Sequence, residues 1–171
     1  MSTALAIEAR PTTGVRVRRA TADDADGLGC LLAGLSVTSA YQRFLTGLGR
    51  PPPRSLVIRL LADGERGGAL VAELDDGLVG HGHWVHARDH TPGGPPQAAE
   101  IAVVVADSHQ QQGIGGALID GLVREVSQRG YERLQVVTGA HNRPVLRMVA
   151  RRKLATPPRR EGACLTYELV L

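Results

Sequence analysis

The run Ala99-Glu100-Ile101-Ala102-Val103-Val104-Val105 is apolar and β-branched apart from one carboxylate, and it leads into Gln110-Gln111-Gln112-Gly113-Ile114-Gly115-Gly116. A strand of nearly continuous hydrophobicity is expected to be covered on both faces, which requires a sheet with helices packed against it. Beyond the glycines, Leu118, Leu122 and Val126 recur at helical spacing and Gly130 marks a stop, so the pattern predicts a helix over about 114–129. Strand, loop and helix in this order aim several backbone N–H groups and the positive end of a helix dipole at one spot, where anions bind. The glycines allow close approach of a ligand to the backbone.

The remaining segments fit around this unit. Val15–Arg18 alternates as a short strand, and Thr21 with Asp23 and Asp24 opens a helix whose buried face is Leu28, Leu31, Leu32 and Leu35. Ser36–Leu45 and Leu56–Leu61 read as two further short helices separated by Gly47, Gly49 and Pro51–Pro53. Ala69–Leu74 and Leu78–Val85 bracket Asp75-Asp76-Gly77 as a hairpin, and Arg88–Gln97 reads as a long loop. Leu134–Val137, Asn142–Arg152 and Leu165–Leu171 follow as strand, helix and closing strand. The 171 residues thus fit one α/β (α+β mixed) domain over 15–171, after a loose leader over 1–14.

Composition narrows the partners. Only 3% of residues are aromatic and the net charge of +3 comes from dispersed arginines, which disfavours nucleic acid and suits a phosphate-bearing small ligand. Cys30 and Cys164 lack CxxC spacing and read as reduced core residues. No apolar run approaches the roughly 18 residues of a membrane span, and the N-terminus lacks a cationic start with an apolar core, so no membrane association and a cytoplasmic location are expected.

The glycine loop is neither a Walker motif, since no Lys-Ser or Lys-Thr follows, nor a dinucleotide fingerprint, since Gly113 and Gly115 lack the later matching positions. Gln110-x-x-Gly113-x-Gly115 instead resembles the acetyl-CoA loop of the GNAT acetyltransferases. Glu100–Asp107 resembles that family's fourth strand with the step into the loop, and Asn142-Arg143-Pro144 the start of its later cofactor-side helix. Leu35-Ser36-x-x-Ser39-x-Tyr41-x-Arg43-Phe44 resembles a segment of the bacterial protein lysine acetyltransferases. The resemblance implies a mixed, mostly antiparallel twisted sheet of about six to seven strands flanked by helices.

It further implies that the backbone of Val103, Val104 and Val105 meets the pantetheine and thioester of acetyl-CoA. Gln110 would open the loop, Gln111, Gln112, Gly113, Ile114, Gly115 and Gly116 would cradle the pyrophosphate, and Asn142 would border the pantetheine arm. Glu100 matches the general base of the protein-acetylating branch. A lysine ammonium, with a reference pKa of about 10.4, must lose a proton before its nitrogen can attack a thioester. The competing reading of Glu100 is a carboxylate paired with an arginine at the sheet edge. The acceptor is a protein lysine or a small amine; a non-catalytic acyl-CoA sensor is the third reading. The family's tyrosine acid is absent, with Val149 at its position, and Arg152-Lys153-Leu154 replaces the usual Gly-Phe.

His81, His83 and His86 have no nearby carboxylate or cysteine to complete a ligand set, so polar sheet-face or substrate-side histidines are expected and no metal. Tyr41 and Arg43 fit either an acceptor-site lining or a helix end that packs an aromatic ring and exposes an arginine. The basic stretch Arg147–Lys153 fits a solvated helix face, ahead of a contact with the cofactor 3′-phosphate or with nucleic acid.

Overall fold

The computed structural model describes residues 14–61, 63–75, 77–87, 98–151 and 153–171. Nearly all of the expected leader and all of the 88–97 loop lie outside them. The chain runs β1 (Arg16–Arg19), α1 (Ala25–Ala33), α2 (Val37–Phe44), α3 (Arg54–Leu60), β2 (Gly67–Leu74), β3 (Gly77–His86), β4 (Ala98–Val105) and α4 (Ile114–Gln128). It continues with β5 (Arg133–Gly139), α5 (Arg143–Val149), β6 (Arg159–Glu161) and β7 (Cys164–Val170). The strands form one seven-stranded sheet in the order β1-β2-β3-β4-β5-β7-β6. Every neighbouring pair is antiparallel except β4 and β5.

Residue alternation divides the core between the two faces. On one face Trp84, Ile101, Leu134 and Leu169 pack with Ile114, Leu118, Leu122 and Val126 of α4 and Val149 of α5. On the other, Val71 and Val104 pack with Leu28, Leu31 and Leu32 of α1, Ala40 of α2 and Val57 and Leu60 of α3. Leu118 and Leu122 are wholly removed from solvent, and each such burial contributes about 2–3 kcal/mol. They sit close to the sheet because β3 carries glycine beneath them. A Cβ at Gly80 would lie 2.9 Å from Leu118 Cδ1, and one at Gly82 would lie 3.0 Å from Leu122 Cδ1.

Three details depart from the sequence reading. The short edge strand β6 is polar and fully exposed, and a strand without a buried face has no hydrophobic period to reveal it. The last helix stops at Val149, and Asn142 is its cap. Cys30 is exposed and is not a core residue: on α1 the buried positions are Leu28, Leu31 and Leu32, and the helical step carries Cys30 to the opposite side.

Candidate active site

β4 and β5 run side by side only briefly. Their ladder comprises Ala98–Arg133, Ala99–Leu134 and Glu100–Gln135, and stops there although both strands continue. On its other side β4 pairs with β3 from Ala99 to Val105 in constant register. The Ala87 N–H donates to the Ala98 carbonyl, and the Ala106 N–H donates to the Val79 carbonyl. Backbone groups alternate sides along a strand, so the even-numbered residues of β4 bond to β3. Ile101, Val103 and Val105 therefore turn their N–H and C=O groups into the opening between β4 and β5. Val104 turns its backbone to β3 and buries its side chain against the helices of the α1–α3 face.

The opening leads to the glycine loop. Gln111 (φ 61°) and Gly113 (φ 87°) both adopt left-handed backbone, which folds the loop back over the start of α4. No side chain caps that helix and no acidic residue lies in its first turn. A Cβ at Gly116 would meet nothing within 4 Å, and one at Gly115 only Val105 Cγ2 at 3.7 Å. The first N–H groups of α4 thus carry no side-chain cap, and the space beside the glycines is open, as anion recognition requires. Because β4 and β5 are parallel, the loop and Asn142 emerge at the same end of the sheet. Asn142 is buried, and its Oδ1 accepts from the Val145 N–H at 3.4 Å.

A polar network ties α2 to this loop. Asp107 accepts from the Ser36 N–H (3.0 Å), the Ser36 hydroxyl (2.8 Å) and the Ser39 hydroxyl (2.8 Å). Burial pulls its carboxyl upward, but these bonds outweigh burial and hold it below the usual carboxylate range. Gln110 Nε2 donates to Ser39 Oγ and to the Val105 carbonyl, each at 3.2 Å. The serines of the Leu35–Phe44 segment therefore act as fasteners between α2, the loop and the end of β4. Sequence reading assigned them no such part, although Ser36 stands where a helix N-cap belongs and accepts from the Ser39 N–H.

Glu100 stands on the last rung of the β4–β5 ladder, on the sheet face that α1–α3 cover. In register beside it are Val85 of β3 and Gln135 of β5, and beyond Gln135 lies Glu168 of β7. His81 and His83 share that face; His86 turns to the other, where its Nδ1 meets the Tyr131 hydroxyl at 2.6 Å. Among the described residues no three His, Cys, Asp or Glu side chains converge as metal ligands. His81 Nε2 donates to the Leu60 carbonyl at 3.0 Å. Arg43 reaches from α2 and donates through Nη2 to His83 Nδ1 at 2.7 Å. A guanidinium only donates, so His83 is the neutral tautomer with its proton on Nε2. Burial, with the nearby Arg43 charge, pushes His81 down to about 4 and His83 down to about 2.

A buried neutral histidine has a consequence for stability. The unfolded chain protonates His81 as pH falls through about 6.5, while the folded chain resists until about 4. Its contribution is complete above pH 6.5 and is lost as pH falls toward 4, an effect of about 3 kcal/mol. Urea unfolding at pH 7 and pH 5 should show the midpoint falling at the lower pH, and His81→Asn should reduce that dependence to the part that His83 supplies.

A sheet that opens between two parallel strands, with an uncapped glycine-led helix at the mouth, is the arrangement of acetyl-CoA-dependent acetyltransferases. The chain belongs to the GNAT acetyltransferase family, with residues 30–153 matching the Acetyltransferase (GNAT) family. It is similar to the GNAT domain of S. lividans PAT at 25% identity and TM-score 0.79, covering 92% of this chain and 90% of that one. It also shares its fold with a GCN5-related N-acetyltransferase from Kribbella flavida (16% identity, TM-score 0.73, 92% and 98% covered). The fold recurs in yncA from Salmonella typhimurium, solved with its cofactor acetyl-CoA (15% identity, TM-score 0.67, 93% and 94% covered). No curated protein sequence matches significantly. No helix among the described residues is long and apolar enough to cross a membrane.

Proposed function

We propose that the chain transfers an acetyl group from acetyl-CoA to the side-chain amine of a protein lysine, with Glu100 as the general base. The observation that carries this reading is the position of Glu100 at the rung where β4 and β5 part, the one carboxylate on β4. The resemblance of the Leu35–Phe44 segment to protein lysine acetyltransferases, and the 25% identity to the GNAT domain of S. lividans PAT, favour a protein acceptor.

In this reading the N–H groups of Gln111, Gln112, Gly113, Ile114, Gly115 and Gly116 hold the pyrophosphate, and the amides of Val103 and Val105 bond the pantetheine arm. Asn142 borders that arm. Acetyl-CoA supplies an activated acyl thioester. Glu100 accepts the proton that the acceptor ammonium must lose, directly or through one water, and the freed nitrogen lone pair becomes the nucleophile. A backbone N–H of β4 that faces the opening meets the thioester carbonyl oxygen as it gains negative charge. A thiol pKa of about 8.5 lets the CoA sulfur leave as thiolate without a dedicated acid, consistent with Val149 in place of the family's tyrosine.

A cleft of about 460 Å³ beside His83 and Val85 is lined by Asp63 and Glu65 together with Arg59 and Arg66. Mixed charge of this kind does not single out a small cationic acceptor. Incubation with acetyl-CoA and either lysine peptides or spermidine, read by mass spectrometry, tests the assignment. Acetylation of lysine peptides is expected; acetylation of spermidine alone would move the reading to a small-amine transferase.

A further inference from the structure

We propose that Arg43 is a positioning residue of the acceptor site: fixed by His83, its guanidinium is the positive charge that faces Glu100, orienting that carboxylate toward the incoming amine. The inference rests on the reading of Glu100 as the base. It begins with an arginine in an unusual setting. Arg43 leaves α2 toward the sheet, passes 4.8 Å from the Phe44 ring centroid, and makes its 2.7 Å bond to a neutral histidine rather than to a carboxylate. Its Nε is buried without a hydrogen-bond partner. Burial pushes its pKa down to about 10, opposed by the charge of Glu100, so it remains a cation at neutral pH.

Such a charge is retained against its desolvation cost only where something answers it. Facing it are His81 and His83, both neutral, and Glu100, which sits diagonally from His83 across the β3–β4 pair. The next carboxylate along the row, Glu168, is already answered by Arg133 at 3.6 Å and Arg159 at 3.3 Å. Among the described residues Glu100 has no ion pair within 4 Å, and Gln135 beside it is uncharged. Arg43 therefore acts on Glu100 through space, bonded to His83 and not ion-paired with the carboxylate. That separation leaves the carboxylate oxygens available to the acceptor. The same charge disfavours a second cation beside it, so the acceptor nitrogen is held more readily as the free amine.

The test is a double-mutant cycle on the intact chain with Arg43→Met, Glu100→Gln and the pair, assayed with acetyl-CoA and whichever of lysine peptide or spermidine the wild type acetylates. Arg43→Met should lower kcat at least tenfold while calorimetry shows unchanged acetyl-CoA affinity, and Arg43→Lys should recover part of the loss. The double variant should be no slower than Glu100→Gln alone, since a residue acting through Glu100 has nothing left to act on. Full activity in Arg43→Met, or a double variant slower by the same factor as the single, would overturn the inference and leave the reading of Glu100 intact. Full activity in Glu100→Gln, or a wild type that acetylates neither acceptor, would overturn both.

Discussion

Glu100→Gln is expected to bind acetyl-CoA as the wild type does and to lose at least about 100-fold in turnover near neutral pH, the usual range for removal of a general base. The two halves of the expectation come from different parts of the sheet. Acetyl-CoA affinity is assigned to the α4 N-terminus and to the odd-numbered amides of β4, neither of which involves the Glu100 side chain. The amide replacement keeps the size of the side chain and removes its negative charge and its capacity to take a proton. Steady-state transfer with a calorimetric control measures both halves. Retained turnover would remove Glu100 from the chemistry and require another base.

Gly115→Val combined with Gly116→Val is expected to abolish measurable acetyl-CoA binding, a loss of at least about 100-fold, while the protein remains as stable as before or slightly more so. A Cβ has room on the protein side at both positions: nothing within 4 Å at Gly116 and only an ordinary contact at Gly115. Glycine within a helix is also a weaker helix former than valine. The added methyl groups intrude on the space assigned to the pyrophosphate, where each lost charged hydrogen bond is worth about 1.5–3 kcal/mol. Gly113 is a poorer choice for this experiment, because its φ of 87° would strain any side chain and mix folding with binding. Calorimetry with a thermal melt separates the two. Undiminished binding in a folded variant would remove the loop from the cofactor site.

The strand, loop and helix of residues 98–128 were legible because their signals are local. An uninterrupted apolar run, a cluster of glycines and leucines at helical spacing each declare themselves within about fifteen residues. Six strands declared themselves by their own patterns, the mixed and mostly antiparallel character of the sheet followed from the family resemblance, and the order of the strands came only with the structure. What stayed hidden depends on pairing across the chain. Ser36 and Asp107 lie far apart in sequence and meet only because α2 packs at the end of β4. Arg43 and His83 likewise meet across the α2–β3 interface. Nor does any residue announce that β4 and β5 part company after Glu100, since both strands remain apolar beyond it. The aromatic, arginine and histidine candidates were visible as residue types; which of them turned inward was a matter of packing.

That parting has a wider consequence. A sheet ordinarily exposes unpaired amides at its two outer rims, where they can be blunted by charge or by brevity. Here a third rim runs through the interior, between a four-stranded plate and a three-stranded plate joined by only three residue pairs. An interior rim needs protection from its own neighbours and from stray polypeptide, and its geometry supplies both. The seam is pinned shut at one end by the three paired rungs, so a guest can reach its unpaired amides only from the end that carries the glycine loop. Selectivity at this seam is steric before it is chemical.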